Sequence, residues 1–175
     1  SKKVCSLAYY FSYGANMSRR YLEKVRNITP ASSHNGYMLD YKMVMNLKGP
    51  NFIEPAFANV RFEKGAKVEG VIHELTETDL DRIVASEGET YELIKAPVTF
   101  GNKTVHAKTL RCKDSTTEEF PVSRRYMKIL IAAAIENNLS GDYIEFLKSK
   151  KSVYYPVVSE IFAIRVYFWV KVRAR

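Results

Sequence analysis

The chain has 175 residues, is 46% hydrophobic and carries a formal net charge of +8. That length suits one domain with a real core. The charge admits anionic small molecules, acidic membranes and nucleic acid as partners without choosing among them. Two cysteines, Cys5 and Cys112, with no C-x-x-C pair argue against a disulfide framework and for a reducing, cytoplasmic setting. His34, His73 and His106 are too scattered for a metal-ligand set, and each is expected on the surface or in a strand. Ser1-Lys2-Lys3 leads into a short strand-like run without a signal-peptide pattern. No apolar stretch reaches the about 20 residues that cross a bilayer.

In chain order, Tyr9 to Met17 reads as an aromatic strand ending in a Gly14-Ala15-Asn16 turn. Ser18 then caps a short helix with Tyr21, Leu22 and Val25 on one face. Amide groups at such a strand–turn–helix junction form a ready anion site. After the break at Ile28-Thr29-Pro30, the residues Tyr37, Leu39, Tyr41, Met43, Met45 and Leu47 alternate along one strand face. Lys48 to Pro55 reads as a loop. A strand through Ala56, Ala58, Val60 and Phe62 is expected to turn at Gly65, and Val68 to Leu75 to return as another. Thr76 caps the next helix, with Leu75 and Leu80 as a hydrophobic staple and Gly88 as its stop. Tyr91 to Phe100 and Lys103 to Arg111 form a hairpin about Gly101-Asn102, with Pro97 marking an edge or bulge. Ser123 to Asn137 is the strongest helix. It is apolar on nearly all sides and so expected to be deeply packed. A short helix from about Asp142 to Lys148 follows, capped by Ser140.

Three of these stretches, in order, carry a resemblance. Tyr13-Gly14-Ala15-Asn16-Met17 after the aromatic strand is similar to the Y-G-S-N motif of the γ-glutamylcyclotransferase-like family. Glu87-Gly88 followed by Tyr91, and Ser123 to Leu130 running on to Asp142-Tyr143, match it as well. The match covers Tyr9 to Leu147. Ala15 departs from the family's usual Ser, losing a hydroxyl but keeping the backbone N–H. Strands, a hairpin and then helices suggest an α+β fold. The resemblance implies a strongly curved mixed β-sheet or small β-barrel with helices packed around it. Residues 1–152 would form that domain. Residues 153–175 lie outside the resemblance and form a C-terminal extension. There, Val166, Phe168, Val170 and Val172 alternate with Tyr167, Trp169, Lys171 and Arg173, which favours an added strand over a short apolar helix resting on an anionic membrane.

The implied activity is a γ-glutamyl cyclotransferase reaction, giving 5-oxoproline and a released amino acid or amine. Glu87 is the expected catalytic acid/base. It stands at the partially negative C-terminal end of its helix, where a carboxyl can both accept and return a proton. Glu89 is its rival on sequence alone. Gly14, Ala15 and Asn16 would grip the substrate through their amides. Tyr126 matches a substrate-contacting tyrosine of the family, and Tyr13 and Tyr91 are weaker candidates for lining the pocket. Arg124 and Arg125 could meet a substrate carboxylate. No cofactor or metal is expected. A homodimer stays open, membrane contact through the tail is not favoured, and nucleic acid is not expected as a partner. The alternative is a non-catalytic relative on the same scaffold, binding a small anion or docking to a membrane or nucleic acid.

Overall fold

The computed structural model describes residues 6–49, 54–113, 116–154 and 158–173. Cys5, part of the loop expected after Lys48, and Tyr155 and Pro156 of the expected connector lie outside the described residues.

Five strands close a barrel in the order β1 (Leu7–Ser12), β3 (Ala56–Thr76), β2 (Ser32–Lys48), β4 (Tyr91–Phe100) and β5 (Lys103–Cys112). All neighbours are antiparallel except the closing pair, where β5 runs parallel to β1 with Tyr10 opposite Lys108. The β4–β5 hairpin turns at Gly101-Asn102 as expected. Strands β6 (Val122–Ser123) and β7 (Ser152–Val153) form a small parallel pair outside the barrel.

The residues 56–76 are a single strand and not two strands folded at Gly65. Between Leu39 opposite Lys67 and Tyr41 opposite Phe62 the register shifts, so β3 bulges around Gly65 while β2 runs on. Asp40, at φ 60°, sits opposite the bulge, and its Oδ1 accepts from the Gly65 amide at 2.8 Å. The bulge also breaks the alternation expected along β2. Met38 is buried, Leu39 beside it is exposed, and Met43, Val44 and Met45 are all buried.

Helix α1 (Arg19–Val25) and α2 (Glu77–Glu87) share a cluster with the outer face of the barrel, built from Tyr10, Leu22, Ile28, Leu75, Leu80, Ile83 and Leu110. The main core gathers Phe11, Met17, Met38, Met43, Ile72 and Val98 from the strands and turn, with Leu130 and Ala133 of α3 (Arg124–Glu136) and Tyr143 and Leu147 of α4 (Gly141–Ser149). Helix α3 buries one face only. Ile135 is exposed on the other, so it is less enclosed than its composition suggested. Gly70 of β3 lets two strands meet closely, since a Cβ there would lie 2.3 Å from the carbonyl oxygen of Ser12. That contact fixes the end of β1 immediately before the Gly14 turn.

The tail corrects the strand expectation. Residues Val158–Arg173 form helix α5, packed against α1 and α2 with Val170 buried. The alternation of Val166 to Val172 has no strand partner, and the segment is helical instead.

Candidate functional site

Four element ends converge. The end of β1 passes into a 3-10 turn, Ala15–Met17, closed by Met17 N donating to the Gly14 carbonyl at 3.0 Å. Arg26 is the C-cap residue of α1. Glu87 is the last residue of α2, and Tyr126 lies in the first turn of α3. Each helix starts on a capping side chain. Ser18, Thr76 and Ser123 accept from the amides of Tyr21, Asp79 and Tyr126, so the entry of all three helices is fixed locally.

Glu87 is held in place by its partners. Its Oε1 accepts from Arg26 Nη2 and, at 3.4 Å, from Asn16 Nδ2. Arg26 Nη1 reaches Ser86 Oγ, and Arg26 Nε donates to Asn16 Oδ1 at 2.6 Å. The Arg26 side chain is almost wholly buried, whereas that of Glu87 keeps 24% of its surface exposed. The guanidinium is thus spent inside the protein, and the carboxylate keeps an accessible side. A cation at the end of α2 also suits the negative end of its dipole. Gly88 lets the chain leave the helix at once, at φ 79° and ψ −174°, a conformation nearly confined to glycine.

Asn16 links the turn to the barrel. Its Nδ2 also donates to Tyr10 Oη at 3.1 Å, and its carbonyl oxygen lies 2.9 Å from His73 Nε2. A carbonyl can only accept, so Nε2 carries the proton and Nδ1 accepts from the Ser33 hydroxyl at 2.8 Å. Burial pushes the His73 imidazolium down to about 4, which keeps the ring neutral. The amides of Ala15 and Asn16 donate to no group among the described residues.

Four tyrosines surround the carboxylate. Burial raises Tyr10 to about 12 and lifts Tyr13, Tyr91 and Tyr126 well above the ordinary tyrosine range, and the negative charge of Glu87 adds to each. All four hydroxyls therefore stay protonated near neutrality. Tyr13 donates to the Leu110 carbonyl, and Tyr91 to the Ala58 carbonyl at 3.3 Å. Tyr126 Oη instead accepts from the Ala58 amide at 3.3 Å, which leaves its proton to donate elsewhere. A Cβ on Gly14 would stand 3.6 Å from that oxygen, so the turn and Tyr126 are neighbours.

Residues 67–147 match the AIG2-like family model. None of the curated proteins matches the sequence. Among solved structures, a γ-glutamyl cyclotransferase superimposes with a TM-score of 0.76 at 21% identity, covering 92% of this chain and 98% of that one. The fold is γ-glutamylcyclotransferase-like. An uncharacterized protein from Homo sapiens superimposes with the same TM-score at 22% identity, over 91% of this chain and 98% of that one. A yeast γ-glutamyl cyclotransferase specific to glutathione matches at a TM-score of 0.59 and 10% identity, covering 81% of this chain and 94% of that one.

Within this γ-glutamylcyclotransferase-like fold, Glu87, Asn16 and the Gly14–Ala15 turn come together, with Tyr126 alongside. Glu89 is exposed and stands apart from the network. Tyr13 is in the same cluster, but its hydroxyl is spent on Leu110. Arg125 pairs with the fully buried Glu54 at 2.6 Å, and Arg124 stacks on Tyr154 with 5.0 Å to the ring centroid. Neither pairing was foreseen. The residues missed are Arg26, Ser86, Tyr10 and His73. For Arg26 the signal was available: it is the last cation of α1 before the break at Pro30, placed to turn inward as the helix ends. A separate shallow cleft of about 210 Å³ lies at Asn35, Tyr37, Glu69 and Thr99. Its carboxylate, Glu69, is already taken by Ser140 and Lys67, whereas Glu87 keeps an accessible side.

Proposed function

We propose that the chain is a γ-glutamyl cyclotransferase, converting a small γ-glutamyl amino acid or amine to 5-oxoproline and the free amine. The observation that carries this reading is the held carboxylate. Glu87 is gripped on its buried side by Arg26 and Asn16, remains accessible on the other, and adjoins a turn with unspent amides. The resemblance to solved γ-glutamyl cyclotransferases supports it at the level of fold.

The chemistry then needs these residues and the substrate alone. The ionised Glu87 takes a proton from the substrate's α-ammonium. The freed amine attacks the γ-carbonyl carbon of the same molecule, closing a five-membered ring. Charge that develops on the carbonyl oxygen meets the N–H groups of the Gly14-Ala15-Asn16 turn or the Tyr126 hydroxyl, both in place before the reaction begins. Glu87 returns its proton to the leaving nitrogen as the carbon–nitrogen bond breaks, and the carboxylate so regenerated takes the second proton from the ring nitrogen and gives it up with the departing amine. Holding the substrate folded on itself supplies much of the acceleration. Arg26 acts through Glu87, fixing which carboxylate oxygen faces inward.

The test is 5-oxoproline release from a panel of γ-glutamyl dipeptides and amines. Wild-type turnover is expected on at least one member, with Glu87→Gln lowering it by about 100-fold or more while its circular dichroism spectrum is unchanged. Equal rates for the two proteins would remove Glu87 from the reaction, and a folded wild type that releases product from no member would sink the reading.

A further inference from the structure

Helix α5 does not have the surface of an ordinary exterior helix. It meets α1 and α2 through the buried Val170, and the opposite side is open. At about 100° per residue, Ile161, Phe168 and Val172 fall within a narrow arc, with Ile164 and Arg165 beside it. Phe168 is 61% and Val172 72% exposed. The two flanks of that arc repeat one arrangement. On one, the Arg173 guanidinium lies 4.1 Å from the Trp169 ring centroid. On the other, Lys171 Nζ lies 5.2 Å from the Tyr167 centroid and donates to its hydroxyl at 3.0 Å.

From Ile161 to the last residue the chain contains no Asp or Glu, while Arg165, Lys171, Arg173 and Arg175 are cationic. An apolar strip bordered on both sides by aromatic rings carrying cations matches the layers of a bilayer surface: acyl chains, interface, anionic headgroups. No helix among the described residues is long and apolar enough to cross a membrane. A second copy of the chain fits poorly, because pairing this face with itself would set Arg165, Lys171 and Arg173 against their own copies, with Glu160 the single carboxylate of the helix to offset them. A nucleic acid would match the cations but not the apolar strip.

We propose that α5 is an interfacial helix that docks the protein on an anionic lipid surface, with Ile161, Ile164, Phe168 and Val172 entering the bilayer and Arg165, Lys171 and Arg173 meeting headgroup charge. This does not rest on the cyclotransferase reading.

Trp169 is the single tryptophan of the chain and a built-in reporter. The full chain is titrated with vesicles of phosphatidylcholine alone and with vesicles in which about one third of the lipid is phosphatidylserine. Binding is read by co-sedimentation and by Trp169 emission. The expected result is a blue shift and sedimentation with the anionic vesicles, weakened at least about tenfold without phosphatidylserine and reduced by high salt. Phe168→Asp and the double variant Lys171→Glu/Arg173→Glu should each lose at least about tenfold in binding. These side chains are exposed or half-exposed, so the fold should tolerate their change. Trp169 emission that does not move with anionic vesicles overturns the proposal. So does equal binding to the neutral vesicles, or a lipid-free dimer that already buries Trp169.

Discussion

Arg26 satisfies three side chains at once, Glu87, Ser86 and Asn16, from a buried position. Truncating it to Met leaves those groups facing an empty space, and stability should fall by about 2 kcal/mol in urea unfolding, less than for a fully enclosed pair because Glu87 is partly exposed. Arg26→Lys keeps the charge but not the planar fork, so it should recover much of the stability while lowering kcat about tenfold with little change in KM. That split would mark Arg26 as a positioning residue for Glu87. His73 gives a pH signature. Its folded value of about 4 lies below the ordinary 6.5. Above pH 6.5 the ring is neutral in both states. As the pH falls from 6.5 to 4 only the unfolded chain takes up the proton, and stability is lost by about 3 kcal/mol. Thermal melts between pH 7 and 5 should show the greater part of that loss in the wild type and little of it in His73→Gln, the window staying above the range where the lowered carboxylates Glu69, Glu74 and Glu119 begin to protonate.

The end of α2 decides where Glu87 points. Gly88→Ala forces a side chain into a conformation nearly confined to glycine, at a cost of about 1–3 kcal/mol. Urea unfolding should register it, and 5-oxoproline release should fall with it because the helix end must shift. Helix starts were legible in the sequence because capping is local: Ser18, Thr76, Ser123 and Ser140 all bond the amide three residues on. Gly88 and the Gly101-Asn102 hairpin were legible for the same reason. Gly65 was misread because a positive φ serves a bulge as well as a turn, and what separates them is Asp40, 25 residues away. Helix α5 was misread because residues that alternate over seven positions also suit a helix whose apolar strip, Ile161, Phe168 and Val172, recurs at spacings of seven and four.

At the scale of the molecule, the motif stretches pointed to Glu87 and the Gly14–Asn16 turn, but their meeting depends on contacts no local pattern encodes. Glu87 lies 61 residues from Arg26 and 71 from Asn16. Among the described residues both core clusters end by Leu147, and α5 lies against α1 and α2. The barrel closes at an uneven seam. Where β1 meets β5 the ladder rests on the Tyr10–Lys108 pair, and side chains sew the rest: Thr109 Oγ1 donates to the Phe11 carbonyl at 2.7 Å, and the Tyr13 hydroxyl to that of Leu110. Hydroxyl groups can let go one at a time, whereas a regular ladder opens as a unit. In native-state hydrogen exchange, the β5 amides along this seam should lose protection before those of the β2–β3 pair, through openings far smaller than global unfolding. Tyr13, one of the two residues such openings free, stands beside the Gly14 turn, so the barrel should loosen at the end where that turn lies.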